Sequence, residues 1–154
     1  MSMRLSLGLL LAGGMMASPL EAQSALCTGN TAPNKQSVTA LTETATDNDM
    51  ATGYHVYTQA ITLTITANAI VLCAYVQTPP ADMGSVGAYH KPYSDLQVQV
   101  PPGAWTPLSQ FQQVLFSGSG SNPMVLTANV RVAVSGSDSP GQYAAMVVLN
   151  PYKK

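Results

Sequence analysis

Apolar and polar residues alternate along much of this chain. In residues 61–66, isoleucine and leucine alternate with threonine without a break, and residues 124–134 repeat the pattern over a longer segment. Residues 96–100 alternate in the same way, and residues 143–149 are rich in β-formers on both faces. A period of two residues places successive side chains on opposite faces of a strand. The pattern therefore predicts several partly buried β-strands.

Clusters of glycine, proline, serine and asparagine separate these strands. They occupy residues 101–103, 117–123 and 135–141 and favour turns. Weaker strand patterns cover residues 37–42, 54–59, 69–77, 104–108 and 111–116. No segment shows a helical period, and residues 42–53 and 78–93 are predicted to be exposed loops. About seven to nine short strands with regular turns predict an all-β fold, an antiparallel immunoglobulin-like β-sandwich.

The first residues have the three-part pattern of a secretory signal peptide. A short basic start at residues 1–4 precedes an apolar run at residues 5–16, and a helix-breaking, small-residue exit follows at residues 18–22. This apolar run is too short to span a bilayer and remain there. We predict cleavage after Ala22, with Ser24 almost as suitable, which leaves residues 23–154 as one domain. The protein is then exported to the periplasm, the cell surface or the medium.

Charge is scarce in this sequence. Only 8% of the residues are charged and the net charge is −1, whereas about a quarter of the residues are charged in ordinary soluble domains. No basic run is longer than Lys153–Lys154, which argues against nucleic acid or an anionic membrane as a partner. No later apolar segment reaches the length of a spanning helix, so no membrane span is expected.

Two cysteines in an exported chain most simply form one disulfide, between Cys27 and Cys73. A redox or metal-binding role is the alternative, but the chain lacks Cys-x-x-Cys spacing and flanking histidine ligands. His55 and His90 are the only histidines, and the chain has no Gly-x-Ser-x-Gly motif to support an exported hydrolase. We therefore predict a protein that is not an enzyme and that uses no metal or cofactor.

One predicted loop carries a polar and aromatic cluster made of Tyr89, His90, Lys91 and Tyr93. Aromatic rings on the loops of a rigid sandwich can bind a glycan or a protein partner. The alternative is that the loop packs back on its own sheet, since tyrosine buries much apolar area while its hydroxyl stays hydrated. Trp105, the sole tryptophan, lies at a strand start and is expected to anchor the core.

The end of the chain carries a family resemblance through Gly141, Tyr143, Val147, Leu149 and Tyr152. This segment resembles the closing strand of bacterial chaperone-usher fimbrial subunits, including the spore coat protein U-like group. The export signal, the early cysteine and the low charge agree with that resemblance. It implies an incomplete immunoglobulin-like sandwich, completed first by a periplasmic chaperone and then by the N-terminal strand of another fimbrial subunit.

The resemblance also implies a strand-exchange edge, which we expect at Tyr143, Ala145, Val147 and Leu149. A subunit that donates a strand needs a free arm before its first cysteine, and cleavage after Ala22 leaves only residues 23–26. Four residues are too few for a donor strand. The sequence therefore predicts a tip or terminal subunit of a fimbria, with adhesin-like contacts, or else a self-standing sandwich.

Overall fold

The computed structural model describes residues 4–9, 26–38, 42–77 and 82–154. The elements in chain order are β1 (Arg4–Leu9), β2 (Asn34–Val38), β3 (Thr42–Thr44), α1 (Asp47–Thr52), β4 (Tyr54–Ile65), β5 (Ala69–Val76), β6 (Ser85–Val86), β7 (Tyr89–His90), a 3-10 turn (Tyr93–Asp95), β8 (Leu96–Gln99), β9 (Thr106–Pro107), β10 (Gln113–Ser119), β11 (Met124–Ala133) and β12 (Gln142–Lys153). Strands dominate, so the all-β prediction is confirmed.

Two five-stranded sheets form the sandwich. The first sheet has the order β10-β5-β12-β1-β3 and the second has the order β2-β4-β11-β8-β9. A small hairpin of β6 and β7 makes a third sheet. Among the described strands, β1 runs parallel to β12 and the other ladders are antiparallel. The described part of the fold is therefore a β-sandwich with one parallel strand pair.

The core fills the space between the two sheets. Alternate residues of the long strands point into it, as their sequence pattern predicts, and many of them are completely shielded from solvent. The largest of these apolar side chains include Ile61, Leu63, Ile65, Ile70, Leu72, Leu96, Val98, Val130 and Val147. Complete burial of an aliphatic side chain of this size stabilises a fold by about 1.5–3 kcal/mol. The alternating strands are thus the main source of stability.

A second, smaller cluster lies on the outer face of the first sheet. It consists of Cys27, Val71, Cys73 and Tyr152, with Val114 packed against it. The predicted disulfide between Cys27 and Cys73 is present, with a Cα–Cα distance of 6.0 Å. This cluster explains why β5 is apolar on both faces: one face meets the main core and the other meets the disulfide.

Strand β4 is longer than the sequence pattern indicates. The two segments predicted at residues 54–59 and 61–66 form one strand, and a bulge interrupts its pairing with β11. At the bulge Gln59 has a φ of 51°. Its backbone N–H donates to Oδ1 of Asn129 at 2.8 Å. A bulge leaves a backbone group without a ladder partner, and here a side chain supplies one.

The prediction of an exposed loop at residues 42–53 is wrong in part, because this segment contains β3 and the short helix α1. Thr46 caps the helix: its hydroxyl accepts from the Asp49 N–H, and the Asp49 carboxylate accepts from the Thr46 N–H at 2.7 Å. Gly53 ends the helix in the left-handed conformation, with a φ of 78°. Thr-x-x-Asp followed by glycine is the local signal that an analysis of periodicity overlooks.

Residues 10–22 of the predicted signal peptide, with its cleavage site, lie outside the described residues. So do residues 39–41 and 78–81, which belong to a predicted strand and a predicted loop. Within the described residues, no helix is both long enough and apolar enough to cross a membrane.

Candidate functional site

The candidate strand-exchange site is the edge of β12 that faces away from β5. Backbone hydrogen bonds show which residues form it. The Ala144 N–H donates to the Met83 carbonyl and the Met146 carbonyl accepts from Gln77, so the even-numbered residues face the β5 side. Backbone groups alternate in direction along a strand. The odd-numbered residues Tyr143, Ala145 and Val147 therefore direct their N–H and C=O groups to the other side.

β1 occupies that other side of the edge. Arg4 to Leu9 pair in parallel with Gln142 to Val147, and Leu5, Leu7 and Leu9 stand opposite Tyr143, Ala145 and Val147. The far side of β1 pairs with β3. β1 is thus an interior strand of the first sheet, and these six residues belong to the segment predicted to be a signal peptide.

The C-terminal half of the same edge has a different partner. Thr31 forms an antiparallel bridge with Tyr152. The Ala32 N–H donates to the Pro151 carbonyl at 2.7 Å, and the Gln36 side chain donates to the Leu149 carbonyl at 3.2 Å. Leu149, the last residue of the predicted exchange edge, is therefore covered by the chain after Cys27, whereas Tyr143, Ala145 and Val147 are covered by β1.

The side chains of the four predicted edge residues face the core. Tyr143 and Ala145 are 1% and 7% exposed, and Val147 and Leu149 are 0% and 3% exposed. The Tyr143 hydroxyl donates to the Ser139 carbonyl at 2.6 Å, four residues upstream. Such a bond at the start of a strand resembles the tyrosine corner of immunoglobulin-like sandwiches, in which a tyrosine hydroxyl bonds to the backbone a few residues upstream. It fixes the start of β12, where β1 begins to pair.

The predicted binding loop packs against this strand. Of its four residues, Lys91 and Tyr93 are buried, with 1% and 8% of their surface exposed. The Tyr89 ring lies edge-on to Tyr143, with 6.1 Å between the ring centroids, and only His90 is exposed. The loop therefore follows the second of the two readings drawn from the sequence: it packs back on its own sheet.

A buried ion cluster holds the loop in place. The Lys91 ammonium donates to Asp138 at 2.5 Å, to the Ala133 carbonyl at 2.7 Å and to Asp95 at 2.8 Å. Asp138 also accepts a hydrogen bond from the Tyr89 hydroxyl at 2.6 Å and one from the Ser135 N–H at 3.1 Å. Every donor of the ammonium is used, as burial of a charge requires.

The cluster shifts two pKa values in opposite directions. Burial alone would raise the pKa of Asp138, but the hydrogen bonds from Lys91 and Tyr89 and the charge of Lys91 outweigh it, so the pKa falls below its usual value. Burial, followed by the hydrogen bond to Asp138 and its charge, strongly raises the pKa of Tyr89. Asp138 is thus a stable anion and Tyr89 a neutral donor, an arrangement that suits a structural role.

The two histidines lie on different strands, and each contacts a carboxylate of its own neighbourhood. His55 Nδ1 is 2.9 Å from Asp49 Oδ2, and His90 Nδ1 is 2.6 Å from Asp82 Oδ2. Burial raises the pKa of Asp49, but hydrogen bonds from His55 and Thr46 lower it by more. In the described part of the chain, no group of three or more His, Cys, Asp or Glu side chains is placed to hold a metal ion.

The prediction that Trp105 anchors the core is wrong. The side chain is only partly buried, does not belong to the core cluster and stacks on the guanidinium of Arg131, 4.4 Å from the ring centroid. The residue lies just before β9, an edge strand, so its ring covers the outer face of the second sheet. The alternation of β11 in the sequence predicts that Arg131 points outward. The position of Trp105 against Arg131 follows from that outward orientation.

Comparisons with known proteins do not assign the chain to a family. No protein-family model matches the chain, and no curated protein matches it either. What the fold and the site define is therefore a structural class: a β-sandwich closed by one disulfide, in which the predicted leader supplies an interior strand.

Proposed function

We propose that this protein is an exported, non-enzymatic surface or periplasmic subunit, fimbrial or adhesin-like, that acts through β-strand interactions at the edge of β12. The observation that carries the proposal is the position of β1. The strand lies inside a sheet, between β12 and β3, yet it belongs to the segment predicted to be cleaved. Cleavage after Ala22 would remove β1 and leave a gap in the first sheet.

The gap has the properties of an acceptor site for a donated strand. Without β1, the N–H and C=O groups of Tyr143, Ala145 and Val147 lose their ladder partners, and the edge of β3 opens as well. Unpaired strand edges readily pair with another chain. A donated strand supplies main-chain hydrogen bonds for affinity and alternate side chains for specificity. Other fimbrial subunits and a periplasmic chaperone are the partners that we propose.

The position of Cys27 supports a tip or terminal role within that proposal. Cys27 is fully buried and bonded to β5, and only residues 23–26 lie between it and the predicted cleavage site. Four residues span at most about 14 Å when extended, too little for a strand that must reach a second subunit. The protein would then accept a strand without donating one.

The test compares amide exchange in the full-length chain with exchange in residues 23–154. In the shortened chain, we expect the amides of Tyr143, Ala145 and Val147 to exchange quickly. The Ala144 amide is the internal control, because its bond to Met83 does not involve β1. A peptide with the sequence of residues 3–10 should restore protection, and the same peptide with Leu5, Leu7 and Leu9 changed to asparagine should not.

Two results would contradict the proposal. The first is a shortened chain in which all three amides remain protected, since the edge would then have an internal partner. The second is a shortened chain that stays a stable monomer and binds neither the peptide nor any strand added to it.

A further inference from the structure

A cationic and aromatic cluster lies on the outer face of the second sheet, away from β12. Arg131 is at its centre, on β11, with Val56 of β4 as its ladder partner on one side and Gln97 of β8 on the other. Its guanidinium packs over two rings, 3.8 Å from the centroid of Tyr54 and 4.4 Å from that of Trp105. Both aromatic side chains therefore contact this one cation.

The Arg131 guanidinium carries hydrogen-bond donors that have no acceptor among the described residues. Nε donates to Oε1 of Gln97 at 2.8 Å, and a guanidinium has four further N–H donors on its two terminal nitrogens. These four donate to no group in the described part of the chain, and neither does the Gln97 amide nitrogen. The terminal nitrogens of Arg131 are accessible to solvent.

The charge of Arg131 is also uncompensated. Lys91 contacts two carboxylates, and each histidine contacts one, but Arg131 forms no ion pair among the described side chains. A planar fork with free donors matches the two oxygens of a carboxylate, which it binds with two parallel hydrogen bonds. The neighbouring Gln97 amide adds a donor on the same side. The site therefore selects an anionic ligand with a planar head.

We propose that Arg131, Gln97, Trp105 and Tyr54 form a binding site for the carboxylate of an acidic sugar, such as a uronic acid in an oligosaccharide. The carboxylate would accept from the two terminal nitrogens of Arg131, and the sugar ring would rest against the partly buried side chains of Tyr54 and Trp105. Arg131 on β11 and Gln97 on β8 belong to strands that are paired on both sides, so a peptide cannot reach these two residues by strand addition.

This inference is independent of the proposed function, because the site lies on the other sheet and involves neither β1 nor β12. It can be tested on the full-length chain with its disulfide formed. Trp105 is the only tryptophan of the protein, so its fluorescence reports on this site alone. We expect trigalacturonate to change the fluorescence in a saturable way, and neutral galactotriose to cause no such change.

Two substitutions test the role of Arg131. The R131K variant keeps the positive charge near the two rings but lacks the planar pair of donors of the guanidinium. We expect it to bind trigalacturonate about tenfold more weakly, because charged hydrogen bonds are lost. The R131Q variant should bind more weakly still. Val125→Thr is the matched control, since Val125 lies on the same face of β11 and is 59% exposed. It should bind as the unmodified chain does, and unfolding curves show whether each variant is folded.

The proposal is overturned if trigalacturonate causes no saturable change in the millimolar range. It is also overturned if folded R131K binds as tightly as the unmodified chain. Equal affinity for galactotriose would show that the site does not recognise the carboxylate and would refute the proposal. Equal affinity for a short aspartate peptide would assign the site to carboxylates in general and refute the choice of an acidic sugar.

Discussion

Removal of Asp138 should destabilise the fold strongly, although the residue lies in a segment that the sequence predicts to be a turn. Asp138 is 6% exposed and accepts hydrogen bonds from the Lys91 ammonium, the Tyr89 hydroxyl and the Ser135 backbone. The loss of one partner from a buried ion pair costs about 3–5 kcal/mol. Asp95 still contacts Lys91 at 2.8 Å, so we expect Asp138→Ala to fall at the lower end of that range.

The measurement is the free energy of unfolding from urea titrations of the full-length chain. Asp47→Ala is the control, because Asp47 is exposed and in no ion pair among the described residues; it should change stability by about 0.5 kcal/mol or less. Lys91→Met alone should cost about as much as Asp138→Ala. The double variant Lys91→Met/Asp138→Ala should cost clearly less than the sum of the two single changes, because it leaves neither a buried cation nor a buried anion.

Two results would refute this reasoning. If Asp138→Ala costs less than about 1 kcal/mol, the pair behaves like an exposed salt bridge. If the double variant costs the full sum, Lys91 and Asp138 stabilise the fold independently and the cluster is not a unit.

The remaining predictions concern stability in acid and the packing of the β6–β7 hairpin against the start of β12. The lowered pKa of Asp138 means that its contribution to stability is present above the unfolded value of about 4 and is lost as pH falls below it; urea midpoints should therefore fall with pH in that range, and more weakly in Asp138→Asn. Gly141→Ala would place a methyl group in steric overlap with a Val86 methyl carbon. It should destabilise the chain by about 1 kcal/mol, and adding Val86→Ala should restore most of that loss; an undiminished loss in the double variant would contradict the steric explanation.

The long strands could be predicted because their alternation reflects burial on one face. The disulfide followed from the count of cysteines and the predicted compartment. The ion cluster could not be predicted, because Lys91 and Asp138 are separated by 47 residues and each sits in a polar, turn-like stretch. Only the packing of the β6–β7 hairpin on β12 brings them together.

The two faces of β11 show the same limit of prediction from sequence. Alternation predicts correctly that Val130 points inward and Arg131 outward, but it says nothing about what an outward residue contacts across the sheet. Trp105 comes beside Arg131 only because β8 lies between β11 and β9. The strand at residues 4–9 cannot be predicted for another reason: its Leu-Ser-Leu-Gly-Leu pattern suits a strand as well as a signal peptide, and the basic start favours a signal peptide.

The disulfide has a consequence for any strand that would replace β1. It ties Cys27 to β5, and the chain that follows it bridges Tyr152 and covers the backbone from Leu149 onward. The free part of the edge therefore ends near Val147, opposite the last residue of β1. Six paired residues extend over about 20 Å. The disulfide thus sets the point on β12 at which pairing with an incoming strand must end. It thereby limits the length and the register of that strand.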